Sequence, residues 1–154
     1  IFKINIMYNK FQPKKTGYSF RDLEVYQKSM ECSVLILKDF KPALTKLKYP
    51  YLENMINTCL SIPLYVGESH GQRFGDFNLG IATLEKAMTG CNKMVIFLEQ
   101  ANGLYGIKIN IDLAEDLIKR YIECRTKMFR LGKAWKKYRK EYSGNEDEKK
   151  FTSF

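Results

Sequence analysis

Apolar residues recur at steps of three and four over most of the chain, and this period predicts four amphipathic helices. Leu23, Tyr26, Met30, Ser33, Leu37 and Phe40 mark a first helix over about 20–40, with Val25, Cys32 and Ile36 widening its stripe. Ser19 is its expected N-cap, with Asp22 three residues on, and Pro42 its expected stop. Leu52, Met55, Cys59, Ile62 and Val66 mark a second helix over about 50–69, which Pro63 should kink and Gly71 should end. Phe77, Ile81, Leu84, Met88, Cys91, Val95 and Leu98 alternate steps of four and three over about 75–101, before an Asn102-Gly103 stop signal. Leu117, Tyr121, Cys124, Met128, Leu131, Trp135 and Tyr138 repeat that rhythm over about 111–142, behind an Asn110 N-cap.

An unbroken 3.5-residue repeat in two long segments predicts near-parallel helix packing. Short connections at about 41–49, 70–74 and 103–110 then give an all-α, antiparallel up-down-up-down four-helix bundle over 19–142. At about 1.5 Å per residue the last helix could reach roughly 45 Å and project beyond its partners. Residues 1–18 lack a helical period and read as an N-terminal arm, in which Phe2, Ile4 and Ile6 could form a short strand. Residues 143–154 read as a polar, mobile tail. One domain of 154 residues can bury a core without disulfide or metal. No apolar run approaches the roughly 20 residues that span a bilayer, and the opening residues lack signal-peptide character. With no close cysteine pairs, a reducing cytoplasm is the expected home.

Charge changes the picture. The net charge is +9, from 26 Lys and Arg against 17 Asp and Glu. Between Lys119 and Lys140 stand ten basic residues and one acid, Glu123, so this excess equals that of the whole chain. At 100° per residue, Lys119, Arg130, Lys133, Lys137 and Lys140 share an arc opposite the apolar seam. A face grown only for solubility usually mixes signs. A one-signed face repels itself until a polyanion neutralises it, and phosphates do so with counterion release. The candidate nucleic-acid contacts are Lys119, Arg120, Lys127, Arg130, Lys133, Lys136, Lys137 and Lys140, with Arg73 and, in the arm, Lys14 and Lys15. A membrane surface is the weaker reading, because the apolar face has the narrow form of a packing seam.

Catalytic sets are absent from the pattern. The single histidine, His70, belongs to no Glu-x-x-His pair, and the glycines match no phosphate-binding loop. Cys32, Cys59, Cys91 and Cys124 fall one per helix near mid-length and could share a layer. Structural zinc usually draws on close pairs such as C-x-x-C, so buried thiols are the preferred reading, with no metal and no cofactor expected. Trp135 and Tyr138 lie among lysines, as in sites that stack single-stranded bases, but their spacing favours completion of the seam.

Two blocks resemble a known family. Ser61-Ile62-Pro63-Leu64-Tyr65-Val66-Gly67-Glu68-Ser69-His70-Gly71-Gln72-Arg73 is similar to the "S-I-P-x-x-I-A-E-G-x-G-R" segment of a bacterial four-helix bundle family. Phe20-Arg21-Asp22-Leu23-Glu24-Val25-Tyr26-Gln27-Lys28-Ser29 resembles that family's "F-x-D-L-x-V-Y-Q-K" opening. The family includes proteins encoded in intervening sequences of ribosomal RNA genes and the accessory variability determinant (Avd) of diversity-generating retroelements. The resemblance implies a homopentameric barrel with a basic exterior that binds RNA and the retroelement's reverse transcriptase. The alternative it implies is a ribosome-associated interaction module. Glu68 and Arg73, after the expected kink, could form a salt bridge at the end of the second helix.

Overall fold

A computed structural model describes the backbone of residues 19–152 and the side chains of residues 19–140. The arm, with Lys14 and Lys15, lies outside the described residues. A 3-10 turn at Phe20–Asp22 leads into α1 (Glu24–Leu35), a π-helical segment (Ile36–Phe40) and α2 (Lys41–Leu47). Then come α3 (Leu52–Gly75), α4 (Phe77–Tyr105), a second 3-10 turn (Gly106–Lys108) and α5 (Ile111–Thr152). No strand occurs among the described residues.

Pro42 does not stop the first helix. The π segment inserts one extra residue, and Lys41 N–H donates to Ile36 O, five residues back. This wider turn accommodates the ring and missing N–H of Pro42 in the first turn of α2, so the rod continues to Leu47. It ends at Lys48, whose φ of 56° places it in the left-handed region while its N–H donates back into the last turn. Ser19 Oγ accepts from Arg21 N–H as a cap should, but it caps the 3-10 turn, and α1 starts only at Glu24. Pro63 sits buried inside α3, which runs on through Gly71 to Gly75. Asp76 alone joins α3 to α4, and its Oδ1 accepts from Leu79 N–H. Gly103 is helical; Gly106, with φ of 51°, ends α4 instead. Asn110 Oδ1 accepts from Leu113 N–H, the expected cap of α5. That helix passes the expected end near Tyr142 and reaches Thr152.

The rods form a closed square. α3 packs on α1 and α4, and α5 packs on α4 and α1. Antiparallel order shows in the pairings: Tyr49 Oη donates to Gln100 at one end of the α4 contact, and Thr83 Oγ1 donates to Gln72 at the other. This is the four-helix bundle that the apolar period predicts.

The seams of α3 and α5 lie where the spacing puts them, with Met55, Cys59, Ile62 and Val66 facing Leu117, Tyr121, Cys124 and Met128 across the core. The seam of α1 is rotated. Val25, Ser29, Cys32, Ile36 and Phe40 are buried, while Tyr26 and Met30 are only partly covered. One serine, Ser29, hides part of this face from a hydrophobic count, and Ser33 is buried where the spacing puts it. Ser29 and Ser33 are buried because their hydroxyls donate to the Tyr26 and Met30 carbonyls of their own helix. Small residues do the same on α4, where Gly80, Ala87, Gly90 and Ala101 are buried and let α3 approach. A Cβ on Gly90 would meet Ile62 Cγ1 at 2.8 Å.

Candidate nucleic-acid interface

The basic face of α5 is divided by what α1 brings opposite it. Antiparallel register sets Glu24, Lys28 and Glu31 of α1 beside Lys127, Glu123 and Arg120. Lys127 Nζ donates to Glu24 at 2.6 Å, and Arg120 reaches Glu31 at 3.0 Å and Asp116 at 2.9 Å. Glu24 also holds Lys28 at 3.1 Å. Hydrogen bonds from Lys127 and then Lys28 hold the Glu24 carboxyl below the usual carboxylate range. Burial pulls the Arg120 guanidinium down, but the hydrogen bond to Glu31 and the charge of Asp116 more than offset it and raise it. Lys119 lies in the same cleft, of about 320 Å³, where Lys28, Lys119 and Arg120 meet Glu31, Asp116 and Glu123. Each such half-exposed pair contributes about 0.2–1 kcal/mol, enough to fix register rather than to hold the fold.

The first part of the expected ridge is therefore compensated by the chain's own carboxylates. Arg120 and Lys127 are partners of α1, and Lys119 lies within a balanced cluster. This corrects the expectation of free cations at Arg120 and Lys127, while Lys119 is exposed with no ion pair among the described residues. The acids of α1 come beside α5 only through the antiparallel register of the two helices, which no local pattern along α5 carries.

Beyond Lys127 the picture changes. Arg130, Lys133, Lys136, Lys137 and Lys140 are all exposed, and among the described residues none has a carboxylate within salt-bridge distance. Lys133 Nζ rests 4.8 Å from the centroid of the half-exposed Phe129 ring. α1 begins at Glu24, opposite Lys127, so the acids of α1 do not run beside this stretch.

Arg73 is not part of that ridge. It leaves Glu68, its expected partner, and turns instead onto the α5 flank. Its guanidinium stacks 4.2 Å from the Phe74 centroid and 4.9 Å from that of Trp135. Nε donates to His70 O at 3.1 Å, and Nη2 lies 3.3 Å from His70 Nε2. Burial and then the Arg73 charge push His70 below the usual imidazole value, so the ring is neutral at pH 7. Arg139, absent from the residues singled out by sequence because it lies on the seam side, stacks 4.4 Å from the Phe77 centroid. Trp135 completes the seam at 7% exposure, whereas Tyr138 is 66% exposed and does not.

The four cysteines do share a layer, but it is filled by a ring. The Tyr121 hydroxyl is buried within electrostatic reach of Cys32, Cys59, Cys91 and Cys124. No group among the described residues is arranged to hold a metal ion. Burial pushes Cys59 up to about 12 and Cys124 up to about 11, and raises Cys32 and Cys91 further, so the thiols are poor nucleophiles. No described helix is long and apolar enough to cross a membrane. Set beside known protein families, curated proteins and solved structures, the chain matches none of them, and its function must be argued from this charge distribution and geometry.

Proposed function

We propose that this chain is a non-enzymatic, nucleic-acid-binding accessory protein that uses the end of α5 to hold RNA or DNA. The observation that carries the reading is the contrast within one helix. Arg120 and Lys127 are paired with acids of α1 and α5, while Arg130, Lys133, Lys136, Lys137 and Lys140 stand exposed. Five like charges within eleven residues repel one another at a few tenths of a kcal/mol per close pair, and a phosphate backbone removes that cost. The family resemblance adds a context: a homo-oligomer, a pentamer by that resemblance, that assists a reverse transcriptase in a diversity-generating retroelement, in the cytoplasm. Exposed Leu60 and Leu64 support association of copies, because they border an apolar groove of about 500 Å³ with Phe20, Tyr26, Met30 and Pro63.

The test is direct. The Lys133→Glu/Lys137→Glu variant should bind RNA and DNA more weakly than the parent protein, and binding at parental affinity would overturn the reading. Light scattering of nuclease-treated protein, with and without added RNA, measures the oligomer. The length of α5, which reaches Thr152, favours the second reading, a ribosome-associated protein-interaction module in which α5 clasps an acidic protein in a complex that survives nuclease.

A further inference from the structure

A second feature lies where the α3–α4 corner meets α5. Arg73, Phe74, Phe77, Trp135, Tyr138 and Arg139 line a cleft of about 490 Å³, within the range of sites that hold one small ligand. Two of its rings are open to solvent: Phe74 is 74% exposed and Tyr138 is 66% exposed. The fold gains little from either ring there, since large apolar groups contribute by being covered. Both guanidiniums are already flattened against rings, Arg73 between Phe74 and Trp135 and Arg139 on Phe77. Neither has a carboxylate within salt-bridge distance among the described residues. Arg73 is fixed further by its bond to the His70 carbonyl, which leaves its Nη1 edge for an incoming acceptor.

We infer that this cleft is a binding site for an unpaired nucleotide of a single nucleic-acid strand, the base stacking on Phe74 and Tyr138 and the phosphate meeting Arg73 and Arg139. The inference rests on the reading of the neighbouring lysines as a phosphate-binding ridge, and it adds a preference that the ridge alone lacks. Lysines attract any polyanion, paired or unpaired. Rings accept a base only when its face is free, and in a duplex neighbouring pairs occupy both faces. Tyr138 and Arg139 stand at the same end of α5 as Lys136, Lys137 and Lys140, about a quarter turn round the helix, so a strand held on the ridge reaches the cleft by wrapping round α5. Planar guanidiniums held on rings suit this task, because little side-chain entropy remains to be lost on contact with phosphate.

The chain supplies its own reporter, for Trp135 is its one tryptophan. A ten-nucleotide oligothymidylate titrated into the full-length protein should quench Trp135 emission, and a duplex of equal phosphate number should do so far less. Phe74→Ala and Tyr138→Ala each remove an exposed ring, so the fold should tolerate both. Each should weaken oligothymidylate binding about fivefold to 150-fold while leaving duplex binding within about twofold. Lys133→Glu/Lys137→Glu should weaken both polymers. Parental single-strand affinity in the two alanine variants, or equal losses for strand and duplex, would overturn the cleft while the lysine variant still reports on the ridge. Duplex binding without single-strand binding would also overturn the cleft alone. Failure of the parent protein to bind either polymer would overturn both.

Discussion

Gly80→Ala should loosen the bundle and the cleft together. Gly80 lies in the first turn of α4, where the single-residue connection at Asp76 forces it against the last turn of α3. A Cβ there would stand 2.8 Å from Arg73 N and 2.9 Å from Arg73 Cα and Cβ, against 3.4–4 Å for ordinary contact. The obstacle is mostly backbone, so no rotamer change relieves it, and the two helices must separate by about half an ångström or more. Overpacking of this kind costs about 1–3 kcal/mol, and alanine returns about 1 kcal/mol of helix propensity. The net loss is about 0–2 kcal/mol, which lowers Tm by up to roughly 8 °C for a chain of this size. The control is Gly71→Ala, one turn away on the exposed side of α3, where a Cβ meets nothing within 4 Å. That change should stabilise by about 0.5–1 kcal/mol. Thermal unfolding followed by circular dichroism reads both. Because Arg73 is the residue displaced, Gly80→Ala should also weaken oligothymidylate binding at a temperature where it is folded. Equal or greater stability of Gly80→Ala relative to Gly71→Ala would refute the close approach and the role assigned to it.

Other consequences follow from buried and titrating groups. The Tyr121 hydroxyl is fully buried with no hydrogen-bond partner, so Tyr121→Phe should stabilise by about 1–2 kcal/mol in urea unfolding; a loss of stability would show that the hydroxyl is satisfied. His70 is held below its ordinary value of 6.5, so the unfolded chain binds the proton more readily. Its contribution is therefore complete above that pH and is lost as pH falls through the unfolded value toward the folded one. His70→Gln should flatten the stability profile in that window, and an unchanged profile would remove the assignment.

The four helices, their antiparallel order and the Asn110 cap were legible because each depends on residues near in sequence. An apolar period of three and four needs no knowledge of the partner helix. The π segment was not legible, since Pro42 alone reads as a stop, and only the wider turn before it shows how the rod continues. The α1 seam is rotated by one flank because Ser29 satisfies its hydroxyl within its own helix and then buries like a small apolar residue, as Ser33 does on the expected stripe. The site was half legible for a related reason. Counting charge along α5 finds every cation, but the Glu24–Lys127 and Glu31–Arg120 pairs depend on the register of α1 against α5, which no local pattern carries. Tyr138 continues the seam spacing past the point where α4 can cover it, for α4 starts at Phe77 and that ring already holds Arg139. Arg73 and Arg139 share a cleft only because Asp76 turns the chain in one residue.

The central claim is that α5 carries two kinds of cation, those held by the chain's own acids and those left for phosphate. The salt dependence of single-strand binding separates them. With seven phosphate contacts, from Arg130, Lys133, Lys136, Lys137 and Lys140 on the ridge and Arg73 and Arg139 in the cleft, the slope of log K against log salt should be about −5. Lys133→Gln/Lys137→Gln should reduce it to about −3.5, and Arg120→Gln/Lys127→Gln should leave it unchanged. A slope near zero in the parent protein, or equal flattening by the two double variants, would contradict the account.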